Sequence, residues 1–121
     1  MEKKRILVAD DHPLMRESIA KMLQDEGYDV ALATDGEEAI TLLSTYCPDL
    51  VLTDLSMPRL DGIGVLTRVR RITPVIPVII FTADTTPEVE QEAWQLGAQD
   101  YVHKPFDFDD LLKRITCALI S

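Results

Sequence analysis

Long apolar runs are missing from this 121-residue sequence. A membrane helix needs roughly 18 or more consecutive apolar residues, and no such stretch occurs. Met1-Glu2-Lys3-Lys4-Arg5 leads straight into a short apolar run, so no signal peptide is expected and the predicted compartment is the cytoplasm. Cysteine is scarce. Cys47 and Cys117 stand far apart with no His or Cys at metal-ligand spacing, so neither a disulfide framework nor a zinc site is expected, and both read as reduced packing residues. Positive charge is short as well: 12 Lys and Arg against 21 Asp and Glu give a net charge of −9. That balance argues against a surface that grips DNA or an anionic membrane, and suits a metal cation or a basic partner. Internal repeats, low-complexity runs and interdomain linkers are all lacking. The expectation is one domain over residues 1–121, long enough to bury a sizeable core.

What is present is alternation. Apolar runs and amphipathic segments follow one another five times, the pattern of a parallel sheet covered by helices on both faces. Arg5–Ala9 reads as the first strand, followed by a helix that opens at Pro13, carries Met15, Ile19, Met22 and Leu23 inward, and stops at Gly27. The second strand, Tyr28 to Leu32, alternates in polarity and is expected at an edge. Asp35, with Glu38 three residues on, reads as the cap of a helix running to about Tyr46.

Leu50, Val51 and Leu52 are a continuous apolar run, as for a strand buried on both faces. The run ends at Asp54, whose carboxylate is expected to project from the strand's carboxyl end rather than sit in the sheet. Met57-Pro58 and Asp61-Gly62 then turn the chain into a third helix, from about Gly62 to Ile72. Pro77–Phe81 reads as the fourth strand. Thr86-Pro87 caps and starts a fourth helix with Val89, Ala93 and Leu96 inward and Gly97 as its stop. Asp100–His103 is a short fifth strand, and Asp107 caps a last helix seated by Leu111, Leu112, Ile115 and Leu119.

Polar groups cluster where strands end. The first strand is followed by Asp10 and Asp11, the third ends at Asp54, the fourth is followed by Thr82 and the fifth by Lys104. In a right-handed doubly wound sheet these ends converge on one crevice. Three carboxylates there would repel one another and hold their protons unless a cation sat among them. Hard oxygen ligands point to Mg²⁺. Lys104 and Thr82 offer a charge and a hydroxyl suited to a phosphoryl group.

The acidic pair after the first strand, the Asp54-x-x-Met57-Pro58-x-x-Asp61-Gly62 loop, Thr82 and Tyr101-x-x-Lys104-Pro105-Phe106 together resemble the receiver domain of bacterial response regulators, the chemotaxis receivers among them. The resemblance runs from about Arg5 to Leu119. It implies a flavodoxin-like sheet of five parallel strands in the order 2-1-3-4-5 with five helices on its two faces. It implies phosphorelay signal transduction in a two-component system: Asp54 takes a phosphoryl group from a sensor histidine kinase or a phosphotransfer protein. On the same ground Asp11, Asp54 and the Ser56 backbone carbonyl ligate Mg²⁺, and Asp10 acts through water. Lys104 steadies the phosphoryl oxygens, while Thr82 and Tyr101 switch the face made by the fourth helix, fifth strand and fifth helix. A cis Lys104-Pro105 bond is implied too. No turnover enzyme is expected, only phosphotransfer onto the chain itself and slow autodephosphorylation.

Two rival readings set limits. A Mg²⁺-dependent hydrolase passing through its own aspartyl phosphate would want a second acid near the nucleophile, and the residue two after Asp54 is Ser56. A nucleotide or flavin module would want glycines in the first turn, where Ala9-Asp10-Asp11-His12-Pro13 has none and carries two negative charges. Among residues that tempt a functional role, His12 reads as a solvated helix-start residue, His103 as pointing to solvent beside Lys104, and Asp61 as a turn residue. Trp94 falls off the inner stripe of its helix. Asp100 and Arg114 would suit a dimer charge ladder, but Glu88, Glu90 and Glu92 make the fourth helix acidic, so that dimer is not assigned and the oligomeric state stays open.

Overall fold

A computed structural model of the chain describes residues 3–120; the expectations placed on Met1, Glu2 and Ser121 lie outside the described residues. Five strands alternate with five helices: β1 (Arg5–Ala9), α1 (Pro13–Asp25), β2 (Asp29–Ala33), α2 (Gly36–Tyr46), β3 (Leu50–Asp54), α3 (Gly62–Ile72), β4 (Val78–Thr82), α4 (Pro87–Gln95), β5 (Asp100–His103) and α5 (Phe108–Ile120). All pairings are parallel, in the order β2-β1-β3-β4-β5. The expected topology stands.

The apolar runs are continuous because successive side chains feed two separate cores. Leu7, Val51, Val78 and Ile80 pack with Leu43, Val65, Leu66, Val69 and Ala93 from α2, α3 and α4. Ile6, Leu50, Leu52, Ile79 and Phe81 pack with Ile19, Leu23, Leu111 and Ile115 from α1 and α5. Each central strand is thus apolar on both faces, which a parallel sheet between two helical layers requires.

Two strands begin later than their apolar patterns. Tyr28 is outside β2 because its amide closes the end of α1 on Leu23 O at 3.0 Å, and pairing with β1 starts at Asp29. Pro77 is outside β4 for want of an amide, although its carbonyl accepts from Val51 N at 3.0 Å; β4 instead runs on to Thr82, paired with His103. Two caps differ as well. Asp35 accepts from Glu38 N as expected, but the Glu38 carboxylate reaches back to Thr34 N rather than to the cap residue's own amide. The Thr86 hydroxyl makes no capping bond; Asp84 Oδ1 accepts from Thr86 N instead. Both cysteines are exposed, so the expectation that they are packing residues fails. Cys47, at φ 55, is the left-handed residue that ends α2.

Candidate functional site

β1 and β3 are neighbours in register, so the residues that follow them meet at one edge of the sheet. Asp10, fully buried, follows β1, with its amide on Ala33 O and its carbonyl accepting from Arg16 Nη1 at 2.7 Å. Asp54 closes β3 opposite Phe81 and is 3% exposed. It is the last residue of β3, so its carboxylate stands at the strand's carboxyl end as expected, and its charge is tolerated in a buried place because partners surround it.

Those partners come from the segments that follow β1, β3 and β5. Lys104 Nζ donates to Asp54 Oδ2 at 3.2 Å and lies 4.9 Å from the centre of the Phe81 ring. It is aimed there by the chain reversal after β5, where Lys104-Pro105 is cis, as expected. Ser56 N lies 3.4 Å from Asp54 Oδ1. Burial pushes the Asp54 carboxyl above the ordinary carboxylate range; the Lys104 charge opposes that shift and the Asp10 charge adds to it.

Asp10, Asp11, His12 and Asp54 each bring one ligating atom into a group in which all lie within 4.8 Å of one another. Asp10 Oδ2 is buried with no hydrogen-bond partner among the described residues, an arrangement that costs free energy unless a cation or donor sits before it. The donors are hard carboxylate oxygens, the set a divalent cation of the Mg²⁺ type takes, so the residues present fit one. In front of them lies an open cleft lined by Asp11, His12, Ser56, Met57, Asp84 and Glu92.

The loop behind Asp54 is fixed by close approach. Gly62 N donates to Leu55 O at 2.8 Å, and a Cβ on Gly62 would stand 2.6 Å from the Asp54 carbonyl oxygen. A Cβ on Gly36 would meet the Leu60 carbonyl oxygen even more closely, so α2 can lie against this loop only because position 36 has no side chain. Asp61 caps α3, accepting from Gly64 N at 2.9 Å, which bears out the turn reading.

Thr82 and Tyr101 lie on adjacent strands at the far side of the site. Thr82 is 1% exposed, and its oxygen accepts from Asp84 N at 2.9 Å, a bond that leaves the hydroxyl proton for another acceptor. Tyr101 is buried and faces inward here, its hydroxyl without a partner among the described residues. Burial raises the phenol pKa, with the charges of Asp84 and Glu90 adding to the shift.

Two histidines read as solvated from sequence are exposed, as expected, and make polar contacts besides. His12 is half out in solvent, yet its Nδ1 stands 3.1 Å from Asp10 Oδ1, 3.2 Å from Asp11 Oδ1 and 3.7 Å from Asp54 Oδ2. Its signal was position: next to the acidic pair and before Pro13, it has extended backbone at the N-cap and turns back over the acids. His103 does not simply face solvent. Its Nε2 is 3.1 Å from Glu90 Oε1, and its ring meets Tyr101 edge to face at 5.4 Å. Glu90 Oε2 accepts from the exposed Trp94 indole at 3.1 Å, so one carboxylate joins α4 to β5. Arg114 binds Asp110 and Asp100 within the chain, which occupies the groups a dimer ladder would use.

This sheet, with an acid pocket at its carboxyl edge, defines a family. The model of the response regulator receiver domain matches residues 6–116, and the chain belongs to that family. Among curated proteins it is 40% identical over 115 residues to the response regulator MprA of Mycolicibacterium vanbaalenii, covering 95% of this chain and 50% of that protein. It is likewise 40% identical over 111 residues to the transcriptional regulatory protein DltR of Streptococcus agalactiae, covering 92% of this chain and 50% of that one. The chain thus spans about half the length of these relatives. Among solved structures it is similar to a CheY-like receiver domain from Methanospirillum hungatei, with a TM-score of 0.95 and 28% identity over 98% of this chain and 95% of that one. It is also similar to the receiver domain of the Francisella response regulator 1452, with a TM-score of 0.91 and 35% identity over 98% of both chains. The hydrolase reading is not favoured by any of these. Among the described residues no helix is long and apolar enough to cross a membrane.

Proposed function

We propose that residues 1–121 act as a phosphoacceptor switch, with Asp54 taking a phosphoryl group from the phosphohistidine of a sensor histidine kinase or phosphotransfer protein. The observation that carries this is the buried Asp54 carboxylate, with Lys104 at 3.2 Å on one side and two further carboxylates within ligand reach on the other. In the transfer, an Asp54 oxygen forms the new bond to phosphorus as the bond from phosphorus to the donor nitrogen breaks. Asp11, Asp54 and the Ser56 carbonyl would hold Mg²⁺, with Asp10 acting through water. Bound Mg²⁺ supplies positive charge against the phosphoryl oxygens. Lys104 supplies the second positive charge from the opposite side, and the fixed backbone at Gly62 keeps the nucleophile in place. The chain turns over no free substrate; it modifies itself and loses the phosphoryl group slowly.

The phosphoryl group carries about −1.5 to −2 charge in place of the single negative charge of the Asp54 carboxylate, and brings three acceptor oxygens. Thr82, with a hydroxyl proton to give, moves toward it. Tyr101, two residues before Thr82's partner His103 on β5 and already inward, is then held in that position, and the face of α4, β5 and α5 changes its affinity for a partner. We infer a cytoplasmic location, and we place any DNA contact of the longer regulators outside this acidic domain.

The test is phosphorylation by a small phosphodonor with Mg²⁺. The wild-type chain should gain one acid-labile phosphoryl group, Asp54→Asn should gain none, and removal of Mg²⁺ should prevent the reaction. Phosphorylation of Asp54→Asn at the wild-type rate would overturn the reading. Tyr101→Ala should take the phosphoryl group almost normally and lose most of the phosphorylation-dependent change in partner affinity.

A further inference from the structure

The imidazole of His12 goes beyond the ligand set just assigned. We propose that His12 Nδ1 is an additional ligand of the divalent cation and biases the site toward ions that accept nitrogen, taking Mn²⁺ ahead of Mg²⁺. This rests on the reading above that the carboxylates hold a cation.

Three observations converge. The nitrogen is near oxygens from three different residues, at 3.1, 3.2 and 3.7 Å, whereas one hydrogen bond would need only one of them. Adjacent ligands around an octahedral ion with bonds of about 2.1 Å stand about 3.0 Å apart, so the 3.2 Å separation from Asp11 Oδ1, a direct ligand in the set above, is that of neighbouring ligands on one ion. The ring is not held there by packing, since its side chain is 65% exposed, nor by capping, since it makes no side-chain bond at the start of α1. Finally, His12 N and Nδ1 both use Asp10 Oδ1, at 3.0 and 3.1 Å. The other oxygen, Oδ2, stays buried and unpartnered among the described residues beside the same group.

The choice of ion follows from ligand chemistry. Mg²⁺ prefers oxygen and keeps its waters, so an imidazole adds little to its binding. Mn²⁺ takes the same carboxylate and water oxygens as Mg²⁺, and as a first-row transition ion, though the weakest binder of its series, it gains more than Mg²⁺ from an added nitrogen. Removing the ring should therefore cost Mn²⁺ far more than Mg²⁺.

The test uses the metal-free chain and the bare ions. Mn²⁺ is titrated by its free-ion electron paramagnetic resonance signal, Mg²⁺ by competition, and the frozen Mn²⁺ complex is read by pulsed resonance for ¹⁴N coupling. Wild type should show a directly bound nitrogen. His12→Ala, checked for an unchanged fold by circular dichroism, should lose that coupling and roughly tenfold or more in Mn²⁺ affinity, with a much smaller loss for Mg²⁺. A coupling absent from wild type, or retained in His12→Ala, overturns the proposal while the carboxylate site stands. Tighter binding of both ions by His12→Ala also overturns it, because the ring would then be blocking the site. Failure of wild type to bind either ion removes the cation site itself, and the proposal with it.

Discussion

Helices α3 and α4 pack into the same apolar layer on the same face of the sheet, yet they are held in opposite ways. α3 buries Gly62, Val65, Leu66 and Val69. Asp61 caps its start, and at its far end Arg70 donates to the carbonyls of Ile76 and Gly97. α4 buries Ala93 alone, and its N-cap threonine makes no capping bond. Its outer tie is the Glu90 carboxylate between Trp94 and His103. The difference follows the work each helix does. α3 begins where the backbone presses against the Asp54 carbonyl, so any slack there would move Asp54. α4 lies against β5, which carries Tyr101, and under the proposed switch a helix that shifts belongs at the low-stability end of the molecule.

The largest effect should come from the layer under α3. Leu66→Ala removes a fully buried side chain and should lower unfolding free energy by about 2–5 kcal/mol in urea. Val89→Ala on α4, half-buried, should cost about 1 kcal/mol or less. Equal losses would erase the contrast between the helices.

Much of this was legible in the sequence because the sheet is buried on two faces. Such strands write themselves as unbroken apolar runs, and polar residues at their ends stand out; Asp10, Asp54, Thr82 and Lys104 were found that way. Glycine and proline marked most helix limits for equally local reasons. What was illegible depended on contacts between distant segments with no periodic trace. The Glu90 tie needs α4 laid beside β5. The close fit of Gly36 on Leu60 needs α2 against the β3–α3 loop. The reach of His12 over three acids depends on how one extended residue turns before α1. That Asp54 is buried at its strand end depends on Lys104, which lies far along the chain.

A middle-sized effect tests the fixed side by its charges. Asp35 accepts from Glu38 N and pairs with Arg59, a left-handed residue of the Asp54 loop. The Glu38 amide is the chief cause holding the Asp35 carboxyl below its ordinary value of 3.8, with the Arg59 guanidinium helping and burial opposing. A lowered pKa means the folded state binds fewer protons than the unfolded one. The stabilisation is therefore complete above the ordinary value and is lost as pH falls through the folded one. Asp35→Asn keeps a capping oxygen but no charge. Wild type should exceed it in urea midpoint at neutral pH, and the gap should close on going to pH below 3.8. A gap independent of pH would show that the Arg59 pair contributes nothing to holding this loop.

The smallest effect on stability should be the most local. Glu90→Ala cuts both bonds of the tie between α4 and β5. Each partner is substantially exposed, and exposed ion pairs contribute about 0–1 kcal/mol, so the urea midpoint should barely move. Loss of a first-turn acid costs a few tenths of a kcal/mol more through the helix dipole, partly offset by the better helix propensity of alanine. The consequence should appear in motion instead. With only Ala93 buried, α4 has little else to hold it, so its amides should exchange faster while those of α3 keep wild-type protection. Trp94, freed from the carboxylate, should be quenched more readily by acrylamide. His103, no longer anchored, would uncover the ring of Tyr101 that it meets edge to face. Unchanged exchange in α4 would show that the apolar contact alone secures the helix. A loss as large as that of Leu66→Ala would show that α4 is fixed as firmly as α3, and the switch would then have to move some other element.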